Sequence, residues 1–152
     1  MVDAEQLNDP NTMDEVAPGL FVGTPDDAGD ATTLRDRSVT TVVSLTHQTP
    51  DVEAADVVVV DVSMRDGPQN DRDAFTKAVT ELRTALERGE SVLVHCSAGA
   101  SRSPAVAATA LALHDDRPLE DAFEQVADRR AAVDPHPAVV RQAANVFSSE
   151  RT

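Results

Sequence analysis

At 152 residues the chain has length for one domain with an ordinary core and none to spare for a second. Its formal net charge of −14, with Lys77 the only lysine among twelve arginines, excludes a basic nucleic-acid surface; the composition suits a carboxylate shell screened by high salt, with an acidic patch for a basic partner as the alternative. No apolar run approaches the roughly 18 residues of a membrane span, the acidic start Met1-Val2-Asp3-Ala4-Glu5 is unlike a signal peptide, and a lone cysteine rules out an intrachain disulfide, so a reducing, cytoplasmic setting is expected.

Residues 1–13 read as a flexible acidic tail, and 14–152 as a single catalytic domain. Short apolar strands are predicted at 14–17 and 20–23. Asp26 or Asp27 is a candidate cap for a helix running through Arg37, and strands follow at 40–45 and 57–60. From Asp71 to Arg88 apolar residues recur at Phe75, Val79, Leu82 and Leu86, spacings of three and four, and Gly89 closes the run, which predicts an amphipathic helix with one face turned inward. A β-branched strand at Ser91-Val92-Leu93-Val94 leads to a short loop, then to helices near 102–114, 118–130 and 137–149, with prolines at or near their starts. Strands alternating with helices predict an α/β fold, a three-layer sandwich whose central sheet is mostly parallel and flanked by helices.

The loop between that last strand and its helix concentrates the chemistry. It reads His95-Cys96-Ser97-Ala98-Gly99-Ala100-Ser101-Arg102-Ser103-Pro104. Successive backbone N–H groups around a glycine-containing turn, together with the positive end of the helix dipole, form a pocket for an anion, so Ser97, Ala98, Gly99, Ala100, Ser101 and Arg102 are the candidate phosphate-binding residues. The same field favours the thiolate form of Cys96 and makes it a nucleophile. Arg102, with its planar fork, can grip two phosphoryl oxygens at once, and Ser103 is placed to donate to the sulfur when it departs. His95 is read as a loop-shaping residue that hydrogen-bonds loop backbone. His47 and His136 lie in polar loop sequence and, with His114, show no metal-ligand spacing, so no metal site is expected. Arg129 and Arg130, at a helix end, are read as structural cations facing the dipole. Arg65 stays open between substrate contact and solvated loop charge.

The stretch His95 to Pro104 resembles the H-C-x-x-G-x-x-R-S-P signature of cysteine-based protein phosphatases, the small dual-specificity group above all. The resemblance extends to Pro18-Gly19-Leu20-Phe21-Val22-Gly23, to Thr40-Thr41-Val42-Val43-Ser44-Leu45 and to Asp134-Pro135-His136-Pro137 with its following helix, about residues 14 to 149 in all. It implies a protein tyrosine phosphatase-like fold and hydrolysis of phosphoprotein monoesters through a phosphocysteine, with no cofactor. It also implies a general acid, an aspartate on a loop upstream of the cysteine. Within Asp61-Val62-Ser63-Met64-Arg65-Asp66-Gly67-Pro68 the choice is Asp66, beside a Gly-Pro turn and nine residues ahead of Phe75; Asp61, at a strand end, is the alternative, while Asp71 and Asp73 read as first-turn helix carboxylates.

Ser97, Ala98, Ala100 and Ser101 are uncharged, whereas relatives acting on inositol phosphates or RNA 5′ ends add basic residues there. A simple phosphomonoester is therefore expected. With no tyrosine or tryptophan and little length for an aromatic recognition loop, the resemblance implies a shallow pocket open to phosphotyrosine and phosphoserine or phosphothreonine alike. The expected partners are phosphorylated proteins, not nucleic acid or membrane, and a monomer is favoured. Two other functions share these features: a catalytically silent phosphoprotein-binding module, and a rhodanese-type sulfurtransferase.

Overall fold

The computed structural model describes residues 13–46 and 57–151. Most of the predicted tail, and His47, lie outside that range. Five strands, β1 (Asp14–Ala17), β2 (Leu20–Gly23), β3 (Val39–Ser44), β4 (Val58–Asp61) and β5 (Ser91–His95), form one sheet in the order β1-β2-β5-β3-β4. Only β1 runs antiparallel to its neighbour; β2, β5, β3 and β4 pair in parallel, which puts β5 in the middle.

Both faces of the central strands are buried, and alternation decides which residue faces which layer. Leu20, Val22, Val43, Val92 and Val94 join the larger core with residues of α3 (Arg72–Glu87), α4 (Arg102–Asp115), α5 (Leu119–Arg129) and α6 (Pro137–Glu150). Phe21, Val42 and Leu93 point the other way, onto a smaller core with Ala28 and Leu34 of the short helices α1 (Pro25–Ala28) and α2 (Ala31–Asp36). This is the expected α/β sandwich. Phe75, Val79 and Leu82 of α3 are fully buried, each contributing about 1.5–3 kcal/mol over leaving it in water. The alanine-rich α4 is buried from Ser103 through Ala112, since it is packed against α3, α5 and α6 while also touching β2 and β5, and small side chains permit that close approach.

The helix predicted to run through Arg37 is broken in two. Thr24 and Asp27 form a capping box that starts α1, and Gly29 ends it after four residues, its N–H bonded to the Pro25 carbonyl. Asp30 then caps afresh by accepting from Thr33 N at 3.3 Å. Two caps six residues apart outweigh one helical run. Observed β3 and β4 differ from the predicted 40–45 and 57–60 by one residue at each end, and Asp61 is the last residue of β4, the strand-end position expected of it.

Candidate active site

The parallel strands leave their carboxyl ends on one edge, where α/β sheets place their ligand sites. There β5 delivers His95 and Cys96, and the chain must turn sharply to enter α4. Gly99 makes the turn at φ +66°, in the left-handed region. A Cβ at that position would strike the Arg130 guanidinium and lie 2.8 Å from the Gly23 carbonyl oxygen, so space as well as backbone conformation demands glycine.

Cys96 is almost wholly buried beneath this loop, and α4 is aimed at its sulfur. Ser103 N donates to Cys96 Sγ at 3.4 Å, and Ser103 Oγ lies 3.1 Å from the same atom. Ser101, the N-cap residue, makes no side-chain cap, so its hydroxyl is free for other work. The loop's carbonyls are bonded on its outer side: Gly99 O accepts from Arg130 Nε at 2.8 Å, Ala98 O from Arg130 Nη2 at 3.2 Å and Ala100 O from Asp134 N at 2.7 Å. In a trans peptide the N–H points opposite the C=O, so the N–H groups of Gly99, Ala100 and Ser101 are turned toward the inner side.

Arg102 donates through Nη1 to Met64 O at 2.9 Å and through Nη2 to Ser97 Oγ at 2.9 Å, which lays the guanidinium between the upstream segment and the loop. Its buried Nε has no hydrogen-bond partner among the described residues.

Of the two candidate acids, Asp66 reaches the loop: Ser101 Oγ donates to Asp66 Oδ1 at 2.6 Å and accepts from His136 N at 2.9 Å. Asp61 instead accepts from Ser63 Oγ at 3.1 Å, at the end of β4. The segment carrying Asp66 is propped on both sides. Gly67, at φ +74°, begins a 3-10 turn over Gly67–Gln69 with the His136 ring against its open face, and Asn70 Nδ2 donates to Arg65 O at 2.7 Å while Gln142 of α6 donates to Asn70 O at 3.0 Å. Arg65 bonds Gln69 Oε1 at 2.6 Å; Asp71 is the N-cap of α3, accepting from Ala74 N at 3.2 Å, and Asp73 is its first-turn carboxylate.

His95 is fully buried, and desolvation pushes its imidazole down to about 4; the Arg102 charge adds to the drop, while the Cys96 backbone and the Asp61 carboxylate offset part of it. Neither ring nitrogen completes a hydrogen bond among the described residues. The ring meets the Cys96 backbone without completing the expected bond to it, and the His95 main-chain carbonyl accepts from Leu45 N at 3.1 Å.

Two residues that sequence reasoning set aside, Arg130 and His136, and one it did not consider, Asp14, belong to this site. Arg130 is fully buried behind the loop rather than facing the dipole from solvent, as exposed Arg129 does. His136 caps α6, its Nδ1 accepting from Ala138 N at 3.0 Å, and touches the Asp66 segment. Asp14 pairs with Arg130 at 3.0 Å. Among the described residues no cluster of three or more His, Cys, Asp or Glu groups is placed to hold a metal ion, and no helix is long and apolar enough to cross a membrane.

Comparison with known proteins gives a concordant result. Residues 20–147 match the dual specificity phosphatase catalytic domain family. The chain is 32% identical over 133 residues to human dual specificity protein phosphatase 22, covering 87% of this chain and 72% of that protein. It is 33% identical over 129 residues to human dual specificity phosphatase 28, covering 84% and 73%. A crystal structure of a mouse putative dual specificity phosphatase complexed with zinc tungstate superposes with a TM-score of 0.85 at 28% identity, over 98% of this chain and 92% of that one.

Proposed function

The chain belongs to the dual specificity phosphatase catalytic domain family and is a cysteine-dependent protein phosphatase, and from that premise we propose that Cys96, Arg102, Ser103 and Asp66 carry the reaction. The observation that carries the assignment is the meeting, on one loop, of a buried sulfur facing the α4 N-terminus, a guanidinium with an unpartnered Nε–H, and a carboxyl tethered to Ser101.

In the first half-step Cys96 Sγ attacks phosphorus in line, the ester P–O bond breaks, and Asp66 gives its proton to the departing oxygen. Ser101 Oγ occupies Oδ1, which leaves Oδ2 to carry that proton. The inward N–H groups of Gly99, Ala100 and Ser101 and the Arg102 fork hold the three phosphoryl oxygens as charge redistributes. In the second, ionised Asp66 takes a proton from the water that attacks phosphorus, the S–P bond breaks, and Ser103 Oγ stabilises the released thiolate. Phosphate is the product.

The loop bears no cation between His95 and Arg102, which fits a simple phosphomonoester on a protein, with phosphotyrosine and phosphoserine or phosphothreonine both accepted. A cytoplasmic monomer adapted to high salt completes the reading, on the strength of the lone cysteine and the charge of −14.

Hydrolysis of p-nitrophenyl phosphate, assayed in low and multimolar salt with and without vanadate, tests the reading. Vanadate-sensitive turnover is expected, abolished by Cys96→Ser while phosphopeptide binding survives. Undiminished activity in the serine variant overturns the mechanism. Binding without turnover identifies a phosphoprotein-binding module, and thiocyanate formed from thiosulfate and cyanide a sulfurtransferase.

A further inference from the structure

The largest side chain fully buried in the described protein is a cation, Arg130. It stands one residue past α5, in extended conformation at φ −137°, where the chain leaves the helix behind the phosphate loop. A guanidinium is costly to bury unless its donors are met. Here Nε and Nη2 donate to Gly99 O and Ala98 O, and Nη1 to Val22 O at 3.3 Å and Asp14 Oδ2 at 3.0 Å. Two of these acceptors are successive carbonyls of the loop itself.

We propose that Arg130, anchored by Asp14, is a positioning residue for phosphate binding. It fixes the peptide planes after Ala98 and Gly99 with carbonyls outward and N–H groups inward, so the oxyanion site stands formed before substrate arrives. Reaching two successive carbonyls requires a planar fork with fixed spacing, which a lysine ammonium lacks. Gly99 completes the fit, since a side chain there would occupy the space of the guanidinium. The buried charge also lies on the positive side of the balance felt by a bound dianion. Asp14 tempers that charge directly, and buried Asp27, whose carboxyl is pushed up by desolvation and held back by Thr24 and by Arg130, does so at longer range. A preformed loop spends no binding energy on reorganisation; a loop without its clamp must order itself around the anion and binds it more weakly.

The inference rests on the reading of this loop as a phosphate site, and the test separates the two. Arg130→Lys and Asp14→Asn are made in the full chain. The readouts are the inhibition constant of inorganic phosphate against p-nitrophenyl phosphate, KM, kcat, the dependence of kcat on leaving group, and Tm. In Arg130→Lys the inhibition constant and KM rise together by about tenfold, and in Asp14→Asn by a smaller factor, with leaving-group dependence unchanged. Folded variants with wild-type phosphate inhibition and KM overturn the proposal whatever their Tm, as does a loss confined to kcat. If Arg130→Lys does not fold, Asp14→Asn decides by the same readouts. A wild-type protein with no affinity for phosphate overturns the site reading and this inference together; altered Tm with unaltered phosphate affinity overturns this inference alone.

Discussion

At the scale of single residues the site divides labour between Asp66 and the groups that hold it. Asp66→Asn should slow turnover by about 10²–10⁴, because an amide cannot supply the proton the leaving oxygen needs. The loss should be largest for alkyl esters such as phosphoserine and smaller for p-nitrophenyl phosphate, whose leaving group needs little protonation; an equal loss across substrates would remove Asp66 from the acid role. Ser101→Ala frees Oδ1 and should reproduce that leaving-group pattern at smaller amplitude, with little further effect when Asp66 is already asparagine. His95 makes a different prediction. Its folded value of about 4 lies below the ordinary 6.5, so between those values the unfolded chain binds the proton more readily, and stability falls as pH drops through that window. The slope is at most about 1.4 kcal/mol per pH unit, and above pH 6.5 the residue contributes none. Urea denaturation of wild type and His95→Gln across pH 4.5 to 7 isolates its share from that of the carboxylates; parallel curves would show that His95 does not titrate on unfolding.

At the scale of elements, the strand-loop-helix unit succeeds because its turn is glycine. Gly99→Ala must hold an L-residue at φ +66° and push a methyl group into Arg130, at a cost of at least about 1–2 kcal/mol for the backbone alone. Denaturant midpoints should drop accordingly, and phosphate affinity should fall more than stability explains, because the same methyl group displaces the clamp. These features differ in how far the sequence shows them. β1 and β2 were readable to the residue and α3 nearly so, because period, caps and terminating glycines are local signals. The break at Gly29 was missed because Thr24 and Asp30 each start a helix, and local pattern does not rank two competing caps. Cys96 and Arg102 were legible from the loop, and the Asp66 segment from the resemblance. Arg130 was not: its partners stand at 14, 22, 98 and 99, distances along the chain of 31 residues and more, and the burial of a helix-end arginine is a property of the assembled fold.

At the scale of the whole molecule, an enzyme of charge −14 is asked to bind a dianion. The local field of the loop attracts phosphate while the surrounding carboxylates repel it, and salt acts unequally on the two. Ions screen exposed charges over about 3 Å at 1 M, but reach the buried sulfur and Arg130 far less. Surface pairs relieve little of the repulsion, since Arg88–Glu90 and Arg117–Asp115 stand at 3.9 and 3.8 Å and exposed pairs contribute about 0–1 kcal/mol. Raising potassium chloride from 0.05 to 2 M should therefore increase Tm, most steeply below about 1 M where the Debye length shrinks fastest. KM for a phosphopeptide should fall over the same range as repulsion of the dianion is screened, with kcat changing less, because the reacting groups are held by hydrogen bonds within the loop and between it and the Asp66 segment. A Tm that is flat or falls across this series would mean that the acidic surface is not strained at low salt, and the charge would then be better explained by a basic partner that neutralises it.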